Sequence, residues 1–181
     1  MLIGSVLFAA AGAFDATDVV NLRDNLKSVF GIGVGEAHAQ SREDVDNMED
    51  KNKEIVREGF ARWANGTGSF FDLLTDDAEW TITGRSPISK TYTSRRQFLD
   101  EAITPINERL SMRIVPTLRG IYAYGDTVIA LWDGTATAKD GKPYKNTYSW
   151  YMTMKDGRIV KVVAFFDTIE FTEFWERVQV K

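Results

Sequence analysis

The chain has no cysteine, and its 181 residues include a single histidine, His38. Disulfides cannot form, which fits the cytosol and does not exclude the periplasm. Because His38 lies far upstream of the region that reads as folded, thiolate nucleophiles, histidine-based triads and Cys/His zinc sites are excluded from the core. No basic stripe is present, so nucleic acid is not an expected partner. No stable membrane span is expected either: the apolar run at 2–14 is about half the length a span requires. If the protein does chemistry, carboxylates and aromatic hydroxyls must do it, and neither a metal nor a cofactor is expected.

What is present is enough for a real core. Apolar residues make up 44% of the chain and aromatics 12%. The length suggests one domain. Charge is unevenly placed. Residues 1–50 hold 3 Lys/Arg against 9 Asp/Glu, a net −6, and residues 51–181 hold 19 against 17, a net +2. Residues 40–53 are polar and acidic and read as a linker. The expected organisation is therefore an N-terminal extension over 1–50 and a domain over 51–181.

The extension has several readings. The run at 2–14 has the length of a signal-peptide core, and Ala37-His38-Ala39 before Gln40 reads as a small-residue cleavage site. No Lys or Arg precedes the run, however, and the gap to the site is long. Alternatively, Arg23 and Lys27 flank a short core at 29–34, or the segment is simply an extension. The expected compartment is the cytoplasm, or the periplasm or exterior if the segment ending at Ala39 is removed.

Periodicity places the elements. Ile55, Val56, Phe60 and Trp63 recur on one face of a helix over 51–64, stopped by Asn65-Gly66-Thr67-Gly68. A helical turn follows at 70–74, then a strand over 79–84 with Trp80 and Ile82 on one face. Ser94 and Gln97 form a capping-box pattern that opens a second helix, and Pro105 is expected to kink it. Four strands at 113–124, 127–138, 144–155 and 158–167 are joined by Gly125-Asp126, Asp140-Gly141 and Asp156-Gly157, which are hairpin turn pairs. A terminal helix carries Phe171, Phe174, Trp175 and Val178. Helices first and a meander later imply an α+β layer fold. Its concave face would be lined by Trp80, Tyr148, Trp150, Met152 and Phe165, and would be either filled by the protein's own helices or partly open as an apolar pocket.

One residue stands out for chemistry. Asp167 ends the apolar strand Val162-Val163-Ala164-Phe165-Phe166. A carboxylate held among aromatic rings loses hydration, and its pKa rises toward the range of a general base. The other reading is that Asp167 caps the helix that follows. Tyr148 and Trp150 are candidate hydrogen-bond donors to a ligand carbonyl, and Trp80 and Phe165 are candidate pocket walls. Asp133 either contributes to a site or marks a bulge beside Gly134.

The order and spacing of several short stretches resemble the nuclear transport factor 2-like superfamily, and within it the SnoaL-like, ketosteroid-isomerase-related branch. They are Asp76-Asp77-Ala78-Glu79-Trp80 with Gly84, residues 92–98, Tyr124-Gly125-Asp126-Thr127-Val128, Asp156-Gly157-Arg158-Ile159, and Ala164-Phe165-Phe166-Asp167 followed by Phe171 and Trp175. The resemblance covers about residues 50–180. It implies a cone-shaped fold, with a curved antiparallel or mixed sheet wrapped around N-terminal helices and closed by a short C-terminal helix. A deep hydrophobic pocket for a small hydrophobic molecule and a homodimer are implied as well.

The family's chemistries fit this chain unequally. Ile82 and Phe60 stand where steroid isomerases of this fold place an aspartate and a tyrosine, which argues against that route. Epoxide-hydrolase-like members use two aspartates with an arginine between; here Asp133 and Asp167 match and Leu131 replaces the arginine. Polyketide cyclases of the SnoaL type use a late-strand aspartate as base, and Asp167 matches it. The expected function is binding of a small hydrophobic molecule, such as a carbonyl compound, with proton abstraction by Asp167 for isomerisation, cyclisation or dehydration. The alternative is a non-catalytic binding or dimerisation module.

Overall fold

In the computed structural model, backbone is described for residues 34–180 and side chains for 39–180. The apolar run at 2–14, the basic flank at Arg23 and Lys27 and the side chains of Ala37 and His38 lie outside the described residues. The chain divides into two units, Met1–Asp44 and Val45–Lys181. No helix among the described residues is long and apolar enough to cross a membrane.

Helix α1 runs over Val34–Asn65. The stretch read as a linker is therefore helical. Its charges sit at helical spacing: Lys53 pairs with Asp50 at 2.7 Å, Arg57 with Glu54 and Arg62 with Glu58. Such pairs support an exposed helix by a few tenths of a kcal/mol each, roughly. Polarity signalled exposure there, and it was compatible with helix all along. The end of α1 is apolar on one face, where Val56 and Phe60 are buried.

A 3-10 turn at Phe70–Leu73 leads into β1 (Leu74–Ile82), and β2 (Thr91–Tyr92) pairs back on it. The second helical segment is broken into three: α2 (Arg95–Phe98), a π turn (Leu99–Ile103) and α3 (Thr104–Asn107). Ser94 caps it through Gln97 N at 3.1 Å, while the Gln97 side chain reaches back to Thr93 N at 2.9 Å, one residue earlier than the expected partner. Pro105 produces no simple kink. It begins α3, and the wider π turn just before it absorbs its missing N–H.

The four-strand meander follows as expected: β3 (Leu110–Tyr124), β4 (Thr127–Ala138), β5 (Pro143–Lys155) and β6 (Arg158–Phe166). The sheet order is β2-β1-β6-β5-β4-β3, with β1 parallel to β6 and all other neighbours antiparallel. Asp156 (φ 50°) and Gly157 (φ 75°) both adopt left-handed backbone, the requirement of a two-residue type I′ hairpin. Register irregularities in β1, β3 and at the β5–β6 pair bend the sheet. Helix α4 (Thr168–Arg177) closes the chain, burying Phe171 and Phe174.

This is the α+β fold that the pattern implies, with the curved, mixed sheet that the resemblance implies. Its inner face carries Trp80, Trp132, Tyr148, Trp150 and Met152, all buried. Phe60 and Trp63 of α1 and Phe70 and Phe71 of the 3-10 turn reach onto that face, with ring centroids 4.7–6.4 Å from their neighbours.

Candidate functional site

The concave face is partly filled and partly open. A cavity of about 470 Å³ remains, walled by Trp63, Phe71, Ile103, Ile106, Trp132 and Trp150, with Tyr148 beside them. This is the size of a small-molecule site. Its walls are fixed by tight aromatic packing. Trp132 lies flat on Tyr148 at 4.0 Å and 7°, and Trp63 is parallel to Trp150 at 6.1 Å. Gly134 makes the first stack possible. A Cβ there would come within 3.0–3.1 Å of Tyr148, Ile114 and Trp132, so the site needs a residue with no side chain. No bulge lies at Gly134, one of the two readings of Asp133: Gly134 pairs regularly with Pro116 and Asn146, and the irregularities of the β3–β4 pair lie between Leu110 and Met112, Met112 and Val115, and Leu118 and Gly120.

The polar groups of the cavity are few. Arg113 lines it while donating to Trp63 O at 2.8 Å and Ala64 O at 2.9 Å, so its charge is spent largely on the carbonyl end of α1. Ser69 and Asn107 also lie at the cavity, and no acidic side chain among the described residues lines it. Tyr148 is bonded to Tyr144 Oη at 2.7 Å, and Asn146 donates to Tyr144 Oη at 3.1 Å. Burial, the largest cause, pushes the Tyr144 hydroxyl up to about 12 and the Tyr148 hydroxyl well above its ordinary value. The indole Nε1 of Trp132 is buried and has no hydrogen-bond partner among the described residues.

Tyr148 and Trp150 therefore line the cavity as expected. Trp80 does so only indirectly: it is stacked on Phe98 at 4.2 Å and borders a smaller neighbouring void of about 50 Å³. Three expected residues lie elsewhere. Phe165 is 46% exposed and pairs with Ser149 on the outer face, because Val162, Ala164 and Phe166 hold the inward parity of β6. Asp133 also faces outward, accepting from Thr147 Oγ1 at 2.7 Å and pairing with Arg119 at 3.5 Å.

Asp167 lines neither the aromatic cavity nor its smaller neighbour. It is exposed, and its Oδ1 accepts from Ile169 N at 2.9 Å and Glu170 N at 3.2 Å. This is the capping geometry, the second of the two readings. The structure brings Asp167 and Asp133 together on a shallow polar groove with Arg119, Lys145, Thr147 and Glu170. Lys161, on the same face, meets Glu79 across the parallel β1–β6 pair at 3.0 Å.

Several wall residues were missed by the sequence reading. Trp132 had a signal: it shares parity with Val128 and Ala130, and the Asp140-Gly141 turn sets it opposite Tyr148. Ile103 had a signal as well, lying on the apolar face of the second helical segment at the spacing of Phe98, Ala102 and Ile106; Arg113 and Phe71 had none, since their place depends on how α1, the 3-10 turn and β3 meet.

Comparison with known proteins adds the family. No curated protein matches the chain. Among solved structures, the NTF2-like protein of Burkholderia thailandensis E264 is 21% identical, with a TM-score of 0.59 over 68% of this chain and 95% of its own. A protein of Jannaschia sp. CCS1, named as a candidate SnoaL-like polyketide cyclase, is 15% identical with a TM-score of 0.57 over 68% and 90%. TerC, co-crystallised with polyporic acid, is 22% identical with a TM-score of 0.53 over 70% and 98%. At these identities the likeness is one of fold. The family described as SnoaL-like domain matches residues 56–162, more than half of the chain, and with the NTF2-like sheet around an aromatic cavity this places the protein in the SnoaL-like domain family.

Proposed function

We propose that residues 51–181 form a binding domain for a small, flat, hydrophobic molecule held in the aromatic cavity, with residues 1–50 as an extension of it. The observation that carries this is the roughly 470 Å³ space walled by tryptophans and lined by no acidic side chain among the described residues. Proton abstraction is not part of this reading, because Asp167 faces solvent and serves α4. That TerC was co-crystallised with polyporic acid agrees with a small-molecule ligand. Native mass spectrometry of freshly purified protein tests the proposal: a retained small molecule, lost in Ile103→Trp, is the expected result. The larger indole would fill the cavity and lower affinity by more than about tenfold.

A second, catalytic reading rests on the polar groove, where Asp167, Asp133 and Arg119 stand together. Only Oδ1 of Asp167 is used in capping, which leaves Oδ2 for a proton. In this reading Asp167→Asn keeps the fold and abolishes turnover of a carbonyl substrate. Unchanged turnover rejects it.

The assembly expected from the family is a homodimer through the outer face of the sheet. Exposed Tyr122, Tyr151 and Phe165 lie there between the Lys161–Glu79 and Arg119–Asp133 pairs, a patch carrying both signs of charge. Sedimentation equilibrium tests it. The compartment proposed is the cytoplasm, and N-terminal sequencing of protein from cells tests whether Ala39 is a cleavage site.

A further inference from the structure

The cavity has a dry part and a wet part. Of its wall, Trp132, Tyr148 and Trp150 are buried, whereas Gly66, Gly68, Ser69, Asn107 and Arg113 are exposed. The exposed five mark where the cavity meets solvent, as a rim of polar side chains and bare backbone. Arg113 is the one charged residue of the wall among the described residues. Its hydrogen bonds among them all go to backbone carbonyls, and none goes to a carboxylate.

A guanidinium carries five N–H bonds in one plane. Three are committed here. Trp63 O and Ala64 O, successive carbonyls at the end of α1, take one each from Nη1 at 2.8 Å and Nη2 at 2.9 Å, and Ile114 O takes the second Nη1 hydrogen at 3.3 Å. Nε–H and the second Nη2 hydrogen have no partner among the described residues. They lie along one edge of the plane, at the spacing that matches the two oxygens of a carboxylate. Gly66 leaves that edge uncovered: a Cβ there would stand 3.0 Å from Nη2 and 3.6 Å from Nε. Gly66 is itself part of the cavity wall, so the unused edge and the cavity meet at this residue.

We infer that the ligand of this cavity is an organic acid with one carboxylate, its flat apolar body among the tryptophans and its carboxylate at the rim on the Nε–Nη2 edge of Arg113. This rests on the cavity-binding reading above and names its ligand class. Charge agrees with it. The carbonyl end of a helix carries roughly half a negative charge, so α1 offsets only part of the guanidinium. Position agrees too, because an anion held at an exposed rim keeps part of its hydration and avoids the full cost of burial. A phosphate monoester, with a charge of about −1.5 to −2, would meet a single cation here, and a monoanion suits the site better.

Calorimetric titration of the full chain with 2-naphthoate and 2-naphthamide tests the inference. The two probes share one shape and differ in charge near neutral pH. Naphthoate is expected to bind about tenfold more tightly, the worth of a charge-assisted, two-pronged pair at an exposed rim. Raised salt should shrink that advantage and leave naphthamide binding unchanged. Arg113→Gln is expected to bind both probes equally, at the naphthamide affinity of the unaltered protein, which also shows that the cavity is intact. Arg113→Lys keeps the charge and loses the fork, so its naphthoate advantage should be smaller. Should Arg113→Gln fail to fold or bind neither probe, Arg113→Lys decides: an undiminished naphthoate advantage there overturns the inference. Equal binding of the two probes by the unaltered protein, or an advantage that survives in Arg113→Gln, overturns it as well and leaves the cavity-binding reading in place. Binding of neither probe by the unaltered protein overturns both.

Discussion

On the inner face of β4 and β5, Trp132 lies flat against Tyr148 at 4.0 Å; one residue along each strand, Asp133 and Thr147 meet on the outer face at 2.7 Å. The two pairs are neighbours in sequence and opposite in chemistry. Inside, rings close on one another and leave a cavity with few polar groups. Outside, Tyr122, Tyr151 and Phe165 are exposed among ion pairs. A strand alternates its side chains with period two, so a shift of one residue moves a group from one world to the other. For this protein that shift removes Phe165, Asp133 and Asp167 from the aromatic cavity and leaves Tyr148 and Trp150 in it.

Substitutions on the two faces should differ accordingly. The largest effect is expected at Trp80→Ala, which empties a fully buried position stacked on Phe98. Chemical denaturation should show a loss of about 3–5 kcal/mol. A loss below 1 kcal/mol would mean that the inner face is not a packed core.

Next comes pH. The Tyr92 and Tyr144 hydroxyls are raised to about 12, in each case mainly by burial, and Tyr148 is raised well above its usual value. Each neutral hydroxyl is favoured in the folded state. Below pH 10 both states are protonated and the stability is whole; between about pH 10 and 12 the unfolded chain ionises first, and stability falls as pH rises. Denaturant melts across that window check the sign, and Tyr144→Phe should flatten the decline.

A smaller effect is expected at Asp167. Replacing the cap with alanine should cost about 1 kcal/mol, and asparagine should recover most of it. Neither change should alter affinity for a probe in the aromatic cavity, whose walls exclude this residue. A loss of affinity in Asp167→Asn, measured by calorimetry, would return the carboxylate to the site.

The smallest effect on stability is expected on the outer face. Phe165→Ser should change the unfolding free energy by no more than about 0.5 kcal/mol in the monomer. If the outer face is where two copies meet, the same variant shifts the sedimentation profile toward the monomer.

Most of the fold was legible because its signals are local. The alternation of Tyr148, Trp150, Met152 and Met154, the three turn pairs and the period change after Leu110 each depend on a few adjacent residues, and the strands lie where those signals put them. The helix over the acidic stretch before Lys51 was missed because polar composition reports exposure, and an exposed helix satisfies it as well as a linker does. Asp167 shows the limit most clearly. Its neighbours in sequence are aromatic, yet Phe165 points outward, and the carboxylate turns to the amides of Ile169 and Glu170. Sequence adjacency to rings is not burial among rings.

The four successive strands, their turn pairs, the two-faced alternation along them and the lack of thiol and imidazole side chains in residues 51–181 were decided by the chain as written, since each follows from residue type and short-range spacing. The cavity was decided only by the tertiary structure. Its walls come from α1, the 3-10 turn, the π turn and three strands, and no local rule fixes how closely those surfaces approach. The orientation of the Asn146 carboxamide belongs to the same class. It depends on the Asp167 backbone, 21 residues away, meeting one amide in the one orientation that hydrogen bonding allows.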